Sequence, residues 1–134
     1  MSSARPLRPS PADDRGSAVV EFVLVGALIV VLATGLLQLA VTLHVRNILV
    51  SCASEGAHTA ALADVELAEG AQRASQLAGA ALGGKEVGAV ARHVDEGDVA
   101  LVEVTLTTSV PVLGLWGAGT MSVSAHAIEE GDDA

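Results

Sequence analysis

Glu21 is the only formally charged residue between Arg15 and Arg46, and it stands at the border of a long apolar run. The 24 positions from Phe22 to Val45 carry no formal charge. A helix of that length is roughly 36 Å long, enough to cross a hydrocarbon core of about 30 Å with some tilt. A carboxylate at the rim of such a segment costs on the order of 1–3 kcal/mol, depending on its depth. A charge placed at that cost calls for a partner that neutralises it.

The other groups that could do chemistry do not converge. His44, His58, His93 and His126 are scattered, and no pair of them has metal-ligand spacing with a carboxylate or thiolate. No G-x-S-x-G, phosphate loop or nucleophile beside a base is present. No catalytic residue, metal or cofactor is therefore expected, and the chain does not read as an enzyme. Leu49-Val50-Ser51-Cys52 resembles a lipobox, at which bacterial lipoproteins are lipidated and cut. Arg46-Asn47 intervene where the lipobox should directly follow the apolar core, so Cys52 reads better as a small apolar residue on a helix face. Asp95-Glu96-Gly97-Asp98 is a turn signal, with a weak surface calcium site as the other reading.

The elements that must position these groups follow from periodicity. Residues 1–16 carry Pro6, Pro9 and Pro11 and read as a short disordered basic leader. Residues 17–45 form the membrane helix, in which Gly26, Ala27, Ala33 and Gly35 are small enough for another helix to approach closely. No proline follows Val45 for many residues, so the helix continues as a stem to about Ala63. Leu49, Cys52, Gly56, Ala60 and Ala63 share one face of it. Asp64 is placed to cap a second helix, with Leu67, Ala71, Ala74, Ala78 and Leu82 as its narrow apolar stripe and Gly83-Gly84 as its end. Residues 46–83 thus make a helical stem and second helix.

Residues 84–129 read as antiparallel β structure. Ala100, Val102, Val104 and Leu106 alternate with Leu101, Glu103, Thr105 and Thr107, and Met121, Val123, Ala125 and Ala127 alternate with Ser122, Ser124, His126 and Ile128. A weaker strand runs from Val87 to Val94. The apolar stretch from Pro111 to Gly117 is expected to cover the sheet or meet a partner, and residues 130–134 form an acidic, frayed tail. The fold class is α+β: a long N-terminal transmembrane helix, a second short helix and a small antiparallel sheet of about three strands.

Composition limits the function further. Residues 1–46 hold four arginines against three acidic groups, whereas residues 47–134 hold three basic groups against thirteen acidic ones. Such an acidic region repels nucleic acid. Phe22 and Trp116 are the only aromatic residues, which argues against base or sugar stacking platforms. Neither nucleic acid nor a small-molecule substrate is an expected partner. Three arginines precede the span and one follows it, so the expected topology has a cytoplasmic N-terminus and an extracytoplasmic C-terminal domain in a single-pass cytoplasmic-membrane protein. The single cysteine leaves the small domain without an internal disulfide, so it is expected to lean on the helix stem or on a partner.

The stretch Arg15-Gly16-Ser17-Ala18-Val19-Val20-Glu21-Phe22 resembles the class III signal of type IV pilins and pseudopilins: a basic leader, a glycine, a small residue and a glutamate five positions after the cut. Residues 14–129 as a whole resemble the TadE-like minor pilins (pseudopilins) of the tight-adherence (Flp, type IVb) pilus system. Val45-Arg46-Asn47, Ala53-Ser54-Glu55-Gly56-Ala57-His58 and Met121–Glu129 carry the remaining resemblance. Ser54 and His58 stand where that family usually has arginines.

The resemblance implies that a prepilin peptidase cuts the Gly16–Ser17 bond and leaves the apolar helix on the mature protein. It also implies a structural role in pilus assembly and adhesion, with other pilins, pseudopilins and the assembly platform as partners. Ser17 would then carry an α-amino group, ordinarily cationic with a pKa near 8. Glu21, four residues on and on the same helix face, could neutralise such a group within the subunit or on a neighbour. The competing expectation is a membrane-anchored extracytoplasmic binding module, lipidated or not.

Overall fold

A computed structural model of the chain describes residues 11–111 and 118–131. Five elements follow in order: α1 (Pro11–Ala60), α2 (Leu67–Ala81), β1 (Gly88–Glu96), β2 (Val99–Pro111) and β3 (Ala118–Ile128). The fold is α+β, with one long apolar helix, one short helix and a three-stranded antiparallel sheet, as the sequence predicts. Contacts divide the chain into two units, residues 1–37 and 38–134.

The smaller unit is helical from Pro11 onward. Pro11 opens α1, where its missing N–H costs nothing, and Asp13 and Asp14 lie in the favourable first turn. Residues 11–16 of the expected leader are therefore helical rather than disordered, because the capping signals lie upstream of Gly16. Residues 1–10 lie outside the described residues.

The larger unit holds the rest of α1, α2 and the sheet. The strands lie in the order β1-β2-β3, both pairs antiparallel. Glu96 pairs with Val99 around the two-residue loop Gly97-Asp98, and Gly97 takes φ 69°. This left-handed conformation suits a glycine in a tight hairpin turn. Asp95 and Glu96 are thus strand residues, and the turn from Glu96 to Val99 lies one residue later than the expected Asp95–Asp98 turn. Pro111 pairs with Ala118 at the other end of β2, and the intervening residues 112–117, including Trp116, lie outside the described residues.

The core sits between the sheet's inner face and the two helices. Val102, Val104 and Leu106 from β2 are fully buried against Leu49, Ala53 and Ala57 of α1 and Ala74 and Ala78 of α2. Met121, Val123, Ala125 and Ala127 of β3 pack onto the same cluster, as their alternation predicts. The small domain borrows one wall of its core from the C-terminal part of α1.

The helix ends depart from expectation. α1 stops at Ala60, and Ala63 is exposed in the turn that follows. The N-cap of α2 is Glu66, in extended conformation (φ −73°, ψ 146°) and without a side-chain capping bond, not Asp64. Starting at Leu67 aims Gly70, Ala71, Ala74 and Ala78 inward, so packing phase outweighs the capping preference of Asp64. At its other end Gly83 and Gly84 take φ 74° and 86°, and the Gly84 N–H donates to the Gly79 carbonyl at 2.7 Å, closing the helix as expected. The start of the expected acidic tail is tied down: Glu129 N–H donates to the Ala100 carbonyl and Glu130 N–H to the Ala61 carbonyl, each at 3.0 Å.

Candidate functional site

Gly16, Ser17 and Glu21 lie on α1 with exposed positions. At about 100° per residue, Ser17 and Glu21 fall within roughly 40° of each other around the axis. Gly26 and Ala33, seven residues apart, share a stripe within about 20°, whereas Gly35 lies on the opposite side, closer to the stripe of Glu21. The four small residues therefore do not make one seam. A Cβ added at Gly16, Gly26 or Gly35 would meet nothing within 4 Å.

The same segment is apolar all round. Phe22 is 79% exposed, and Val23, Leu24, Leu28, Ile29, Val31, Leu32 and Leu36 are exposed on every side of the helix. A helix apolar on all faces is suited to lipid or to other apolar helices, not to water. Thr34 Oγ1 donates to the Val30 carbonyl and Thr42 Oγ1 to the Gln38 carbonyl, both at 2.8 Å, so these hydroxyls are satisfied by their own helix backbone. The helix is long and apolar enough to cross a membrane. Cys52 lies within α1 and packs against the core cluster, and burial pushes its thiol pKa up.

Two arrangements in the larger unit depend on partners far away in the sequence. The first is the crossing of α1 and α2. A Cβ on Gly56 would come within 2.5 Å of the Ala74 Cβ and 2.8 Å of the Gly70 carbonyl oxygen. A Cβ on Gly70 would collide with Ala60 and the Gly56 carbonyl oxygen. Two glycines thus meet face to face, and only hydrogen side chains let the backbones approach this closely. Gly56 belonged to the expected stem face; Gly70 was absent from the expected stripe, because a glycine carries no hydrophobic signal.

The second is a charged row across the sheet. Register places Arg92, Glu103 and His126 side by side on the outer face. Arg92 Nε donates to Glu103 Oε1 at 2.5 Å, and His126 Nε2 lies 2.8 Å from Glu103 Oε2. Glu103 is only 8% exposed, although it alternates with the inward residues Val102 and Val104. Its two neighbours cover it. Thr105 with Ser124 and Thr107 with Ser122 extend the polar ladder along this face, at 2.7 and 3.3 Å.

The Arg92 hydrogen bond, above all, holds the Glu103 carboxyl below the usual glutamate range; the Arg92 charge and His126 act in the same direction, and desolvation opposes them. A carboxyl with a depressed pKa contributes stability above its ordinary pKa of about 4.3 and loses it as pH falls through the lower folded value. The stability gap between the native chain and Glu103→Gln should therefore be widest at neutral pH and close below about pH 4.3. Thermal melts of the detergent-solubilised full chain by circular dichroism measure it. A gap independent of pH would rule out the charged row as its source.

The α+β domain behind one N-terminal apolar helix fits a single-pass membrane protein. Residues 16–58 match the family model described as TadE-like protein, so this segment of the chain is similar to that family. The match begins at Gly16 and takes in Glu21, Arg46 and the Ala53–His58 segment; the resemblance at Met121–Glu129 lies beyond it. No curated protein and no solved structure matches the chain.

Proposed function

We propose that this chain is a minor pilin of a tight-adherence pilus system. A prepilin peptidase cuts it between Gly16 and Ser17, and its apolar helix then packs beside those of other pilins at the assembly platform, in support of adhesion. The carrying observation is the TadE-like match that starts at Gly16, joined to Glu21 as the sole formal charge between Arg15 and Arg46. In this reading the N-terminus is cytoplasmic and residues 47–134 are extracytoplasmic.

Glu21 sets the register. An unpaired carboxylate at the lipid boundary costs on the order of 1–3 kcal/mol, and pairing with the α-amino group of a neighbouring Ser17 relieves that cost. The same helix face carries both groups, so one subunit can offer its carboxylate while its own amine meets another chain. Gly26 and Ala33 provide one stripe of close approach. The half-buried Cys52 has a structural place in the stem, which favours this reading over a lipid-anchored module.

The test combines processing and assembly. Mass spectrometry of the native membrane-fraction protein should find Ser17 at the N-terminus, and Gly16→Leu should leave the leader attached. Glu21→Ala should keep its membrane level while recovery of crosslinked partner pilins falls roughly ten-fold, the effect of about 1.4 kcal/mol of lost pairing. An intact 1–16 leader in the native cell, or undiminished partner recovery with Glu21→Ala, would overturn the proposal.

A further inference from the structure

Val41 and Val45 of α1, Leu82 after α2, Lys85 and Ser109 of β2 line one apolar groove of about 140 Å³. Val41 and Val45 are also the last turns of the uncharged run, which ends at Val45. In a chain threaded through a bilayer by that run, these valines lie at the lipid–water boundary. Whatever shares a groove with them lies at the same depth. The Gly83-Gly84 turn delivers Lys85 there, where it is exposed and its Nζ reaches the Ser109 carbonyl at 3.4 Å.

The charges of the unit are sorted along the same direction. Ala63, Asp64, Ala100, Glu129 and Glu130 surround a second pocket, and Asp95 pairs with Ala100 beside the Gly97-Asp98 turn. This acidic end is nine residues of β2 from Ser109, about 30 Å of strand, and the stretch of α1 from Val45 to Ala60 runs between the two ends. At the groove end stand Lys85, Arg46 and His44, with Glu86 as the acidic neighbour in sequence. Of the other two cations, Arg92 is already bound to Glu103, and Arg73 lines a pocket with Thr59 and Glu69 away from the groove. An anionic surface therefore attracts the groove end and repels the far one.

We infer that the groove formed by Val41, Val45, Leu82, Lys85 and Ser109 is a membrane-seating foot, occupied by the acyl and headgroup region of anionic phospholipid, with Lys85 on the phosphate. The foot fixes the domain against the bilayer from which α1 emerges. Its apolar walls replace lipid-facing water, and Lys85 places its stem along them with the ammonium group at headgroup level. The inference rests on the membrane-spanning reading of α1.

The test uses the full chain with Cys52→Ser, reconstituted into vesicles of phosphatidylcholine with or without phosphatidylglycerol. A fluorophore is attached at Ser109→Cys, with Leu82→Cys as a second foot position, Asp98→Cys at the acidic end and Leu32→Cys in the span. Nitroxide-labelled lipid should quench the foot labels and the span label but not the label at position 98. Phosphatidylglycerol should strengthen foot quenching. Lys85→Gln should lower the ratio of seated to free foot about five-fold in those vesicles, the effect of one basic residue near an anionic surface. High salt should act likewise.

Foot labels left unquenched while the span label is quenched would overturn the foot and leave the spanning helix intact. A span label that lipid does not quench would instead overturn the membrane reading itself. Foot labels shielded from aqueous iodide yet unquenched by lipid would show that protein covers the groove, residues 112–117 or another subunit, and would also overturn the inference.

Discussion

Gly56→Val is expected to open the α1–α2 crossing and cost the larger unit about 3 kcal/mol or more, since overpacking of a tight contact typically costs 1–3 and valine adds three heavy atoms. The nearest obstacles are the Ala74 Cβ and the Gly70 carbonyl oxygen. The carbonyl is backbone and cannot rotate away, so the helices must separate. Separation exposes Ala53, Ala57, Ala74 and Ala78, which are buried only because the backbones are close. Small domains have little reserve against such a loss.

Protease resistance and circular-dichroism melts of the full chain in detergent measure the effect. Gly35→Val, where an added Cβ meets nothing within 4 Å, should melt like the native chain. In the milder Gly56→Ala background, Ala74→Gly should restore part of the loss, because it removes the closest obstructing atom. A native melt for Gly56→Val would mean that the crossing is not a close contact.

Leu106→Ala is the second large effect, with an expected loss of about 2–5 kcal/mol. Leu106 is fully buried at the centre of the middle strand, between Ala89 of β1 and Val123 of β3 in the register. Apart from Leu49, the fully buried side chains of its cluster are alanines and valines, which are too short to collapse into the space it would leave. Most of the transfer and cavity cost therefore stays uncompensated. Leu101→Ala, on the opposite face and only partly buried, should cost clearly less. Equal losses at the two positions would contradict the placement of the core on the inner face. Neither change touches the apolar segment of α1, so membrane extraction of the protein should stay as in the native chain.

The two β2 leucines differ only in parity, and parity was legible from alternation. So were the β3 faces, because a strand's side chains alternate with period two whatever it packs against. The weak strand from Val87 appeared as β1 within two residues. Helix ends were less legible. Asp64 carries the better capping side chain, yet α2 begins at Leu67, since the helix must present Gly70, Ala71, Ala74 and Ala78 to α1. Glu129 and Glu130 read as a frayed tail because the carbonyls that hold them belong to Ala100 and Ala61, distant in the chain.

The candidate site divides in the same way. Gly16, Ser17 and Glu21 could be singled out from the sequence because their relation is local: they fall within six consecutive residues of one helix, beside an uncharged run. Arg92, Glu103 and His126 gave no sign of one another; eleven and twenty-three positions separate the outer two from Glu103, and only strand register brings them together.

The apolar helix, the small polar-apolar strands, the glycine stops and the lone boundary carboxylate can all be read from the order of residues. Each of these is a property of a short stretch of chain against water or lipid. That Gly56 meets Gly70, that Glu103 lies covered on an outer face, and that Lys85 shares a groove with Val41 and Val45 emerges only from the folded arrangement. Those outcomes depend on where separate backbones come to rest, and backbone approach is set by the packing of the whole unit.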